Sequence, residues 1–459
     1  MTGKPDTAPL SFREKVGYGL GDMASNFYMG FFGLFLLYYY TDVFGISPAA
    51  AATMLLVTKI VDAISDPAMG LIADRTSTRW GKFRPYLFFV AIPYAILGYL
   101  LFLGPELSAT GKLIYAYVTY TLVMLAYTAI NVPYSALLAV ISPVADERTK
   151  ATQFRFVFAS LGTLSVGAFT TQLVDYLGGG DEVLGFRLTI VLFAVLSVLI
   201  FWITFATTRE RVRPAPHSSS VRQDLSVLLG NVSWIVLVGP GILVVVGLVA
   251  RFASIVFYTK YYMLDEGLLV FFIFNKTALL TSCGLIGQLV GALLTPMLAA
   301  RFEKHHLVIG MNLLHAVLLG LCFITPPEQF GLVVVLHSFG ILTFGVIITL
   351  LFSMYTDCAE YGEWSTGKNT AGLTVSASMF SLKFGSAVGG ALPGFILAWF
   401  GFVANEVQTE LSITGIRLMF SILPAVFFLA GGLLMFFYRI DRKTLSKVEA
   451  DLHERRGTG

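Results

Sequence analysis

Residues 207–224 read TTRERVRPAPHSSSVRQD, a basic stretch carrying Pro and Ser that is the longest polar interruption inside this 459-residue chain. Outward from it in both directions, apolar stretches of about 20 residues or more recur between short polar breaks, six before it and six after. Their expected limits are 16–43, 48–74, 85–104, 112–142, 150–177, 186–208, 231–263, 268–300, 305–325, 329–357, 370–400 and 412–438. Solid runs such as FFGLFLLYYY (31–40) exclude a β-barrel, whose ~10-residue strands would alternate. Only 13% of the residues are charged and 56% are hydrophobic, whereas a soluble domain is about a quarter charged, so a soluble enzyme is excluded. The fold expected is an all-α integral membrane protein of twelve transmembrane helices. It has an N-terminal half (1–208), a middle linker (209–230), a C-terminal half (231–440) and a tail (441–459).

The cations choose the orientation. Lys4, Arg13 and Lys15 precede the first span, and Arg75, Arg79, Lys82 and Arg84 separate the second from the third. Arg148, Lys150, Arg209, Arg211, Arg213, Arg222, Arg301, Lys304, Lys368 and the basic tail fall on the same side. The opposite loops hold acids such as Asp42, Asp175, Asp181, Glu182, Asp265, Glu266, Glu406 and Glu410. Both termini are therefore expected in the cytoplasm. The polar first fifteen residues lack an apolar core, so no cleaved signal peptide is expected. Two six-helix halves joined by a cytoplasmic linker are the layout of a major-facilitator-type transporter. Gly284, Gly287 and Gly291, and Gly385, Gly389 and Gly390, suit close helix packing.

Charges inside a membrane cost at least about 2.5–3.5 kcal/mol each, so they mark sites or pairs. The richest set is KIVDAISDP (59–67): Asp62 and Asp66 share one helix face with Ser65 beside them and Lys59 a turn before. Counted from Pro48 at ~1.5 Å per residue, Asp62 lies roughly 21 Å deep and Asp66 roughly 27 Å deep. Two carboxylates one turn apart repel, so one is protonated or a cation lies between them. Oxygen-only ligands suit a hard ion such as Na+, and a shared proton would give H+ coupling. The competing reading is that Lys59 neutralises Asp62 and leaves Asp66 as a gate residue.

Asp22, Arg155, Arg251, Lys276 and Lys383 are the other intramembrane charges, while His315 and His337 read as lone core residues. A sugar site needs planar polar groups and aromatic faces, which span 4 supplies in Tyr120, Tyr127, Thr128, Asn131 and Tyr134, with Asn26 on span 1. No Walker sequence is present, so a primary pump is excluded and coupling comes from an ion gradient or is absent. No nucleophile–base set or metal cluster suggests an enzyme.

Several motifs resemble those of the glycoside–pentoside–hexuronide:cation symporters, a branch of the major facilitator superfamily that includes melibiose, xyloside and glucuronide permeases. They are GYGLGDMASN (17–26), YYYTDVFG (38–45), DAISDPAMGLIADRTSTRWGKFRP (62–85), YTAINVPYSAL (127–137), FRFVFASLG (154–162) and DCAEYGEWSTGKNTAGLTVSASMFSLKFGSAVGG (357–390). GFVANEVQT (401–409) looks most like the glucuronide and xyloside members. The resemblance implies a cation site of Asp62, Ser65, Asp66 and Thr128, with Na+ possible at the two acids. It implies a sugar site at Asn26, Tyr127, Asn131, Arg155 and Lys383, to which Asp22, Lys59 and Tyr134 are added as candidates. Asn26, Asn131 and Ser135 stand where melibiose-type members carry Asp, Asp and Trp, which argues against melibiose. Asn bonds neutral and anionic sugars alike, so a hexuronide is tolerated beside cationic Arg155 and Lys383 and a neutral pentoside stays open.

Arg75, Arg79, Lys82 and Arg84 of the first half and Asp357, Glu360 and Glu363 of the second are expected to form a cytoplasmic gate. The function expected is Na+- or H+-coupled sugar symport by alternating access in a bacterial cytoplasmic membrane, with an uncoupled facilitator or sensor as the alternative. No cofactor beyond the coupling ion is expected; the partners are a small sugar, the cation and the bilayer, with no nucleic acid and a monomer as the working form.

Overall fold

The computed structural model describes residues 8–212, 228, 230–367 and 371–457. The expected linker lies outside the described residues except at 209–212, 228 and 230, as do Lys4 and Lys368. Among the described residues, eleven helices are long and apolar enough to cross a membrane. α1 (Phe12–Tyr38) starts from a capping box in which Ser11 and Glu14 bond each other's backbone N–H. α2 (Pro48–Arg75) begins on a proline whose missing N–H costs nothing at that position.

The third span departs from expectation. In place of one helix over 85–104 it is built from α3 (Arg84–Phe89) and α4 (Ala91–Leu101), with Val90 between them. Pro93 has no N–H to offer the Phe89 carbonyl, so the helical ladder breaks there. At ~1.5 Å per residue the two pieces together reach roughly 27 Å, close to the thickness of a bilayer core. α5 (Ala109–Ile141), α6 (Ala145–Gly178) and α7 (Glu182–Thr207) follow, then α8 (Val232–Phe257), α9 (Lys276–Arg301) and α10 (Lys304–Ile324). The chain continues through α11 (Phe330–Thr366), α12 (Ala371–Trp399), α13 (Glu410–Phe420), α14 (Ile422–Leu434) and α15 (Arg442–Gly457).

The twelfth span is also broken, at Ser421 (φ −124°, ψ −73°). Pro424 cannot donate to the Phe420 carbonyl, and the fully buried Arg251 of α8 does so through Nη1. Arg251 Nε and Nη2 also lie 3.1 and 2.9 Å from His337 Nδ1, and the guanidinium sits 3.8 Å from the Phe420 ring centroid. His337 is thus not a lone packing residue: it and a backbone carbonyl satisfy a buried cation. His315 is packed as expected, stacked on Phe428 at 3.7 Å, with Nδ1 2.8 Å from Thr343 Oγ1.

Chain packing divides into two units, residues 1–216 with 265–281 and 403–407, and residues 217–264 with 282–402 and 408–459. Inside the first, α1 packs on α6 and α7, α4 on α5 and α7, and α2 on α5. Inside the second, α8 packs on α12 and α14, and α10 on α11 and α14. Span for span this is the same pairing, an internal repeat. It extends to detail: α1 runs into a π-turn at Tyr39–Val43 and α8 into one at Tyr258–Tyr262. In each turn a Tyr-Thr pair places its Thr hydroxyl on preceding carbonyls, Thr41 on Leu37 O at 3.1 Å and Thr259 on Ile255 O at 3.0 Å.

Of the six glycines whose spacing suggested close packing, Gly287, Gly291, Gly385 and Gly389 meet helix backbone, Gly284 meets the His337 ring, and Gly390 has only Val249 Cγ1 at 3.9 Å. A Cβ on Gly287 or Gly291 of α9 would overlap the carbonyl oxygen of Ser338 or Leu342 of α11, and one on Gly345 would overlap Gln288 O. One on Gly385 or Gly389 of α12 would come within 2.8 Å of Ile242 O or 2.6 Å of Val246 O on α8. Without a Cβ, backbones approach closely and gain dispersion contacts where lipid offers no hydrophobic drive.

Candidate functional site: an acid pair and a polar aromatic surface in the first unit

The helical repeat of α2 puts Asp62, Ser65 and Asp66 on one face, and packing of α5 against α2 brings Thr128 to them. Thr128 Oγ1 is 3.0 Å from Asp62 Oδ1 and 3.1 Å from Asp66 Oδ1. Ser65 Oγ donates to the Asp62 carbonyl at 3.0 Å and lies 3.4 Å from Thr128 Oγ1. All four residues named from the sequence therefore meet. Asp62 and Thr128 are buried, and Asp66 is partly exposed. A hydroxyl carries one proton and can donate to only one of two ionised carboxylates. The second contact is favourable when Asp66 or Asp62 holds a proton and donates back, or when a cation sits among the oxygens. A set made only of carboxylate and hydroxyl oxygens suits a hard ion such as an alkali cation, or a proton. Lys59 stands on α2 nearly one turn before Asp62, half-buried.

One residue before Thr128, Tyr127 begins a second polar surface. Tyr127 is within electrostatic range of Asp62 and Asp66 and also of Asp22 and Arg155. Asn131, one turn further along α5, has its Oδ1 buried without a hydrogen-bond partner. Asn26 donates through Nδ2 to the Asp22 carbonyl at 2.8 Å and accepts from Thr163 Oγ1 at 3.3 Å. Arg155 of α6 donates through Nε to Asp22 Oδ2 at 3.0 Å and lies over the Tyr134 ring at 5.0 Å. Tyr134 is fully buried, stacked on Tyr18 at 4.9 Å with its hydroxyl donating to Tyr18 O at 2.6 Å, so it seats Arg155. Lys383 lies on α12, in the other unit.

The basic loop after α2 is organised by a residue that sequence reading passed over. Glu210, just beyond α7, accepts from three successive backbone N–H groups, Lys82 at 2.8 Å, Phe83 at 2.7 Å and Arg84 at 3.0 Å. Gly81, at φ +114°, leaves room for it, since a Cβ there would come within 2.5 Å of Glu210 Oε1. Arg84 Nη2 donates to Phe205 O at 2.6 Å, Lys82 pairs with Asp74 at 2.9 Å, and Arg79 lies over Trp80 at 4.5 Å. Arg75 closes α2. On the other unit Asp357 pairs with Lys304 at 2.7 Å, and Glu360 and Glu363 follow it on α11. Glu210→Ala strands three N–H groups. It is expected to cost about 2 kcal/mol and to speed tryptic cleavage after Arg79 and Lys82 in the detergent-solubilised protein. An unchanged digestion rate would show that the loop holds itself.

Residues 17–442 match the model of a family described as MFS/sugar transport protein. The chain belongs to that family. Its members are transporters, not enzymes, and this one is a multi-pass membrane protein. The chain is 35% identical to the putative glycoside/cation symporter YagG of Escherichia coli (strain K12), over 96% of this chain and 94% of the relative. It is 33% identical to the isoprimeverose transporter of Lactiplantibacillus pentosus, covering 98% and 95% of the two chains. With the glucuronide carrier protein homolog of Escherichia coli (strain K12) the identity is 32%, covering 97% and 96%. Among solved structures, a D-xylose-proton symporter superposes with a TM-score of 0.63 at 15% identity, over 94% of this chain and 98% of that one, a likeness of fold.

Proposed function

We propose that the protein is a cation-coupled sugar symporter of the cytoplasmic membrane that imports a glycoside, pentoside or hexuronide by alternating access, with both termini in the cytoplasm. The relatives named as glycoside, isoprimeverose and glucuronide carriers support the substrate class. The observation that carries the coupling is adjacency on α5. Thr128 bonds the acid pair, while Tyr127 beside it and Asn131 one turn on belong to the polar aromatic surface.

A cation or proton at Asp62 and Asp66 relieves their repulsion and settles Thr128. That fixes the helix presenting Tyr127 and Asn131 to the sugar. Linkage makes the coupling reciprocal: if the ion favours the sugar-binding arrangement, the sugar tightens ion binding by the same factor. Uptake into proteoliposomes under an imposed Na+ gradient, and separately under a pH gradient, tests this with a panel of aryl xylosides, glucosides and glucuronides. Accumulation above equilibrium under one gradient is expected and names the coupling ion. Equilibration without accumulation under either would make the protein an uncoupled facilitator.

A further inference from the structure

Read from sequence, Arg155 offers a positive charge to an anionic sugar; the fold places a carboxylate on it. Arg155 Nε lies 3.0 Å from Asp22 Oδ2, and Nη2 reaches Ser135 Oγ at 3.4 Å. The guanidinium is further held over Tyr134, whose position is set by its bond to Tyr18 O and its stack on the Tyr18 ring. Asn26 Nδ2 bonds the backbone carbonyl of Asp22, which leaves the Asp22 carboxylate to Arg155. The pair is therefore built by three helices, α1, α5 and α6. It is not sealed in a core: the side chains of Asp22 and Arg155 keep 13% and 23% of their exposure.

The charges in this part of the first unit then sum simply. Asp22 and Arg155 cancel, Tyr127 is in electrostatic range of that pair and of Asp62 and Asp66, and on α2 the single cation Lys59 stands before those two acids, so these five charged groups together carry no net positive charge. A sugar carboxylate arriving here meets no net positive charge from these five groups. The hydroxyls of a neutral sugar can both donate to a carboxylate and accept from a guanidinium, which are each able to make more bonds than the one they share.

We propose that Asp22 is the specificity-determining residue of the sugar site: by holding the charge of Arg155 it sets the site for a neutral glycoside, and its removal admits an anionic hexuronide. This rests on the reading of the protein as a sugar symporter. Specificity here comes from a charge placed against the wrong substrate as much as from contacts with the right one.

The test compares 4-nitrophenyl β-xyloside with 4-nitrophenyl β-glucuronide, which differ by the carboxylate on C5, in counterflow with purified protein in proteoliposomes. Wild type is expected to favour the xyloside. Asp22→Asn, which keeps size and hydrogen bonding, is expected to shift the ratio at least 10-fold toward the glucuronide. The double variant Asp22→Asn, Arg155→Gln removes both charges and is expected to bring the ratio back toward wild type. A wild-type preference for the glucuronide overturns the proposal and needs no variant. So does an unmoved ratio in Asp22→Asn, or an equal shift in the double variant. Wild-type protein that moves neither these sugars nor any other of the panel overturns the symporter reading itself, a result distinct from an unmoved ratio.

Discussion

Asp62→Asn is expected to yield a folded transporter that exchanges sugar but no longer concentrates it, with gradient-driven uptake reduced about 100-fold or more. The Asn side chain keeps the shape and one oxygen that Thr128 Oγ1, 3.0 Å from Asp62 Oδ1, can still bond. It keeps neither the charge that balances a metal cation nor the titratable oxygen that takes a proton, so both forms of coupling fail together. Removing one partner of a buried ionic contact costs about 3–5 kcal/mol, and about 2.7 kcal/mol already corresponds to 100-fold. Asp62 is buried, so solvent screens this loss little. Asp66 is partly exposed, and Asp66→Asn is expected to show the same defect with a smaller factor. The measurement is uphill uptake beside counterflow in the same proteoliposomes. Wild-type accumulation in Asp62→Asn would remove the acid pair from the coupling mechanism.

The second large effect is structural. Gly291→Leu is expected to abolish recovery of folded protein, because the new side chain begins where the Leu342 carbonyl oxygen lies and Gly345 packs beside it. Neither obstacle is a flexible side chain; both are backbone of α11, so α9 and α11 must separate. Overpacking ordinarily costs about 1–3 kcal/mol, and a clash with helix backbone falls at or beyond the upper end. Separation also forfeits the close packing on which helix association in lipid depends. Gly390→Ala is the control: its nearest neighbour would be Val249 Cγ1 at 3.9 Å, ordinary van der Waals contact, and it is expected to be neutral. Monodispersity of detergent extracts on size-exclusion chromatography reads both variants. A well-folded Gly291→Leu protein would mean that these helices are not held by backbone contact.

These expectations draw unequally on the sequence. That Asp62, Ser65 and Asp66 share a face follows from a helical period acting over four residues, and that Gly287 and Gly291 share one follows from the same rule. Thr128 entered the cation site through family resemblance, and the packing of α2 on α5 supplies the distance. The Asp22–Arg155 pair had no local signal, since 133 positions separate its members. The sequence marks each as an intramembrane charge and a sugar-site candidate, and nothing in it joins the two. Glu210 was hidden for a similar reason: it looked like one more charge in a polar linker, and its bonds run to N–H groups more than 120 positions earlier.

By itself the sequence determined what local chemistry determines. Long apolar runs with few charges demand helices in a bilayer, because hydrocarbon leaves backbone groups no other partner. The acid pair declares a site because charge at that depth is costly. Only the tertiary structure decided where the helices break and who repairs them, as at Pro424, where Arg251 takes the Phe420 carbonyl from another helix. Only it revealed the internal repeat, whose matching helix pairs and π-turns share two identical residues, Tyr40-Thr41 and Tyr258-Thr259, in the turns themselves. Packing is tolerant of which apolar residue fills a place, so the repeat survives in geometry where it has faded from the letters. Charge is not tolerant: whether Arg155 is offered to a substrate or balanced by Asp22 depends on a 3.0 Å contact that three packed helices create.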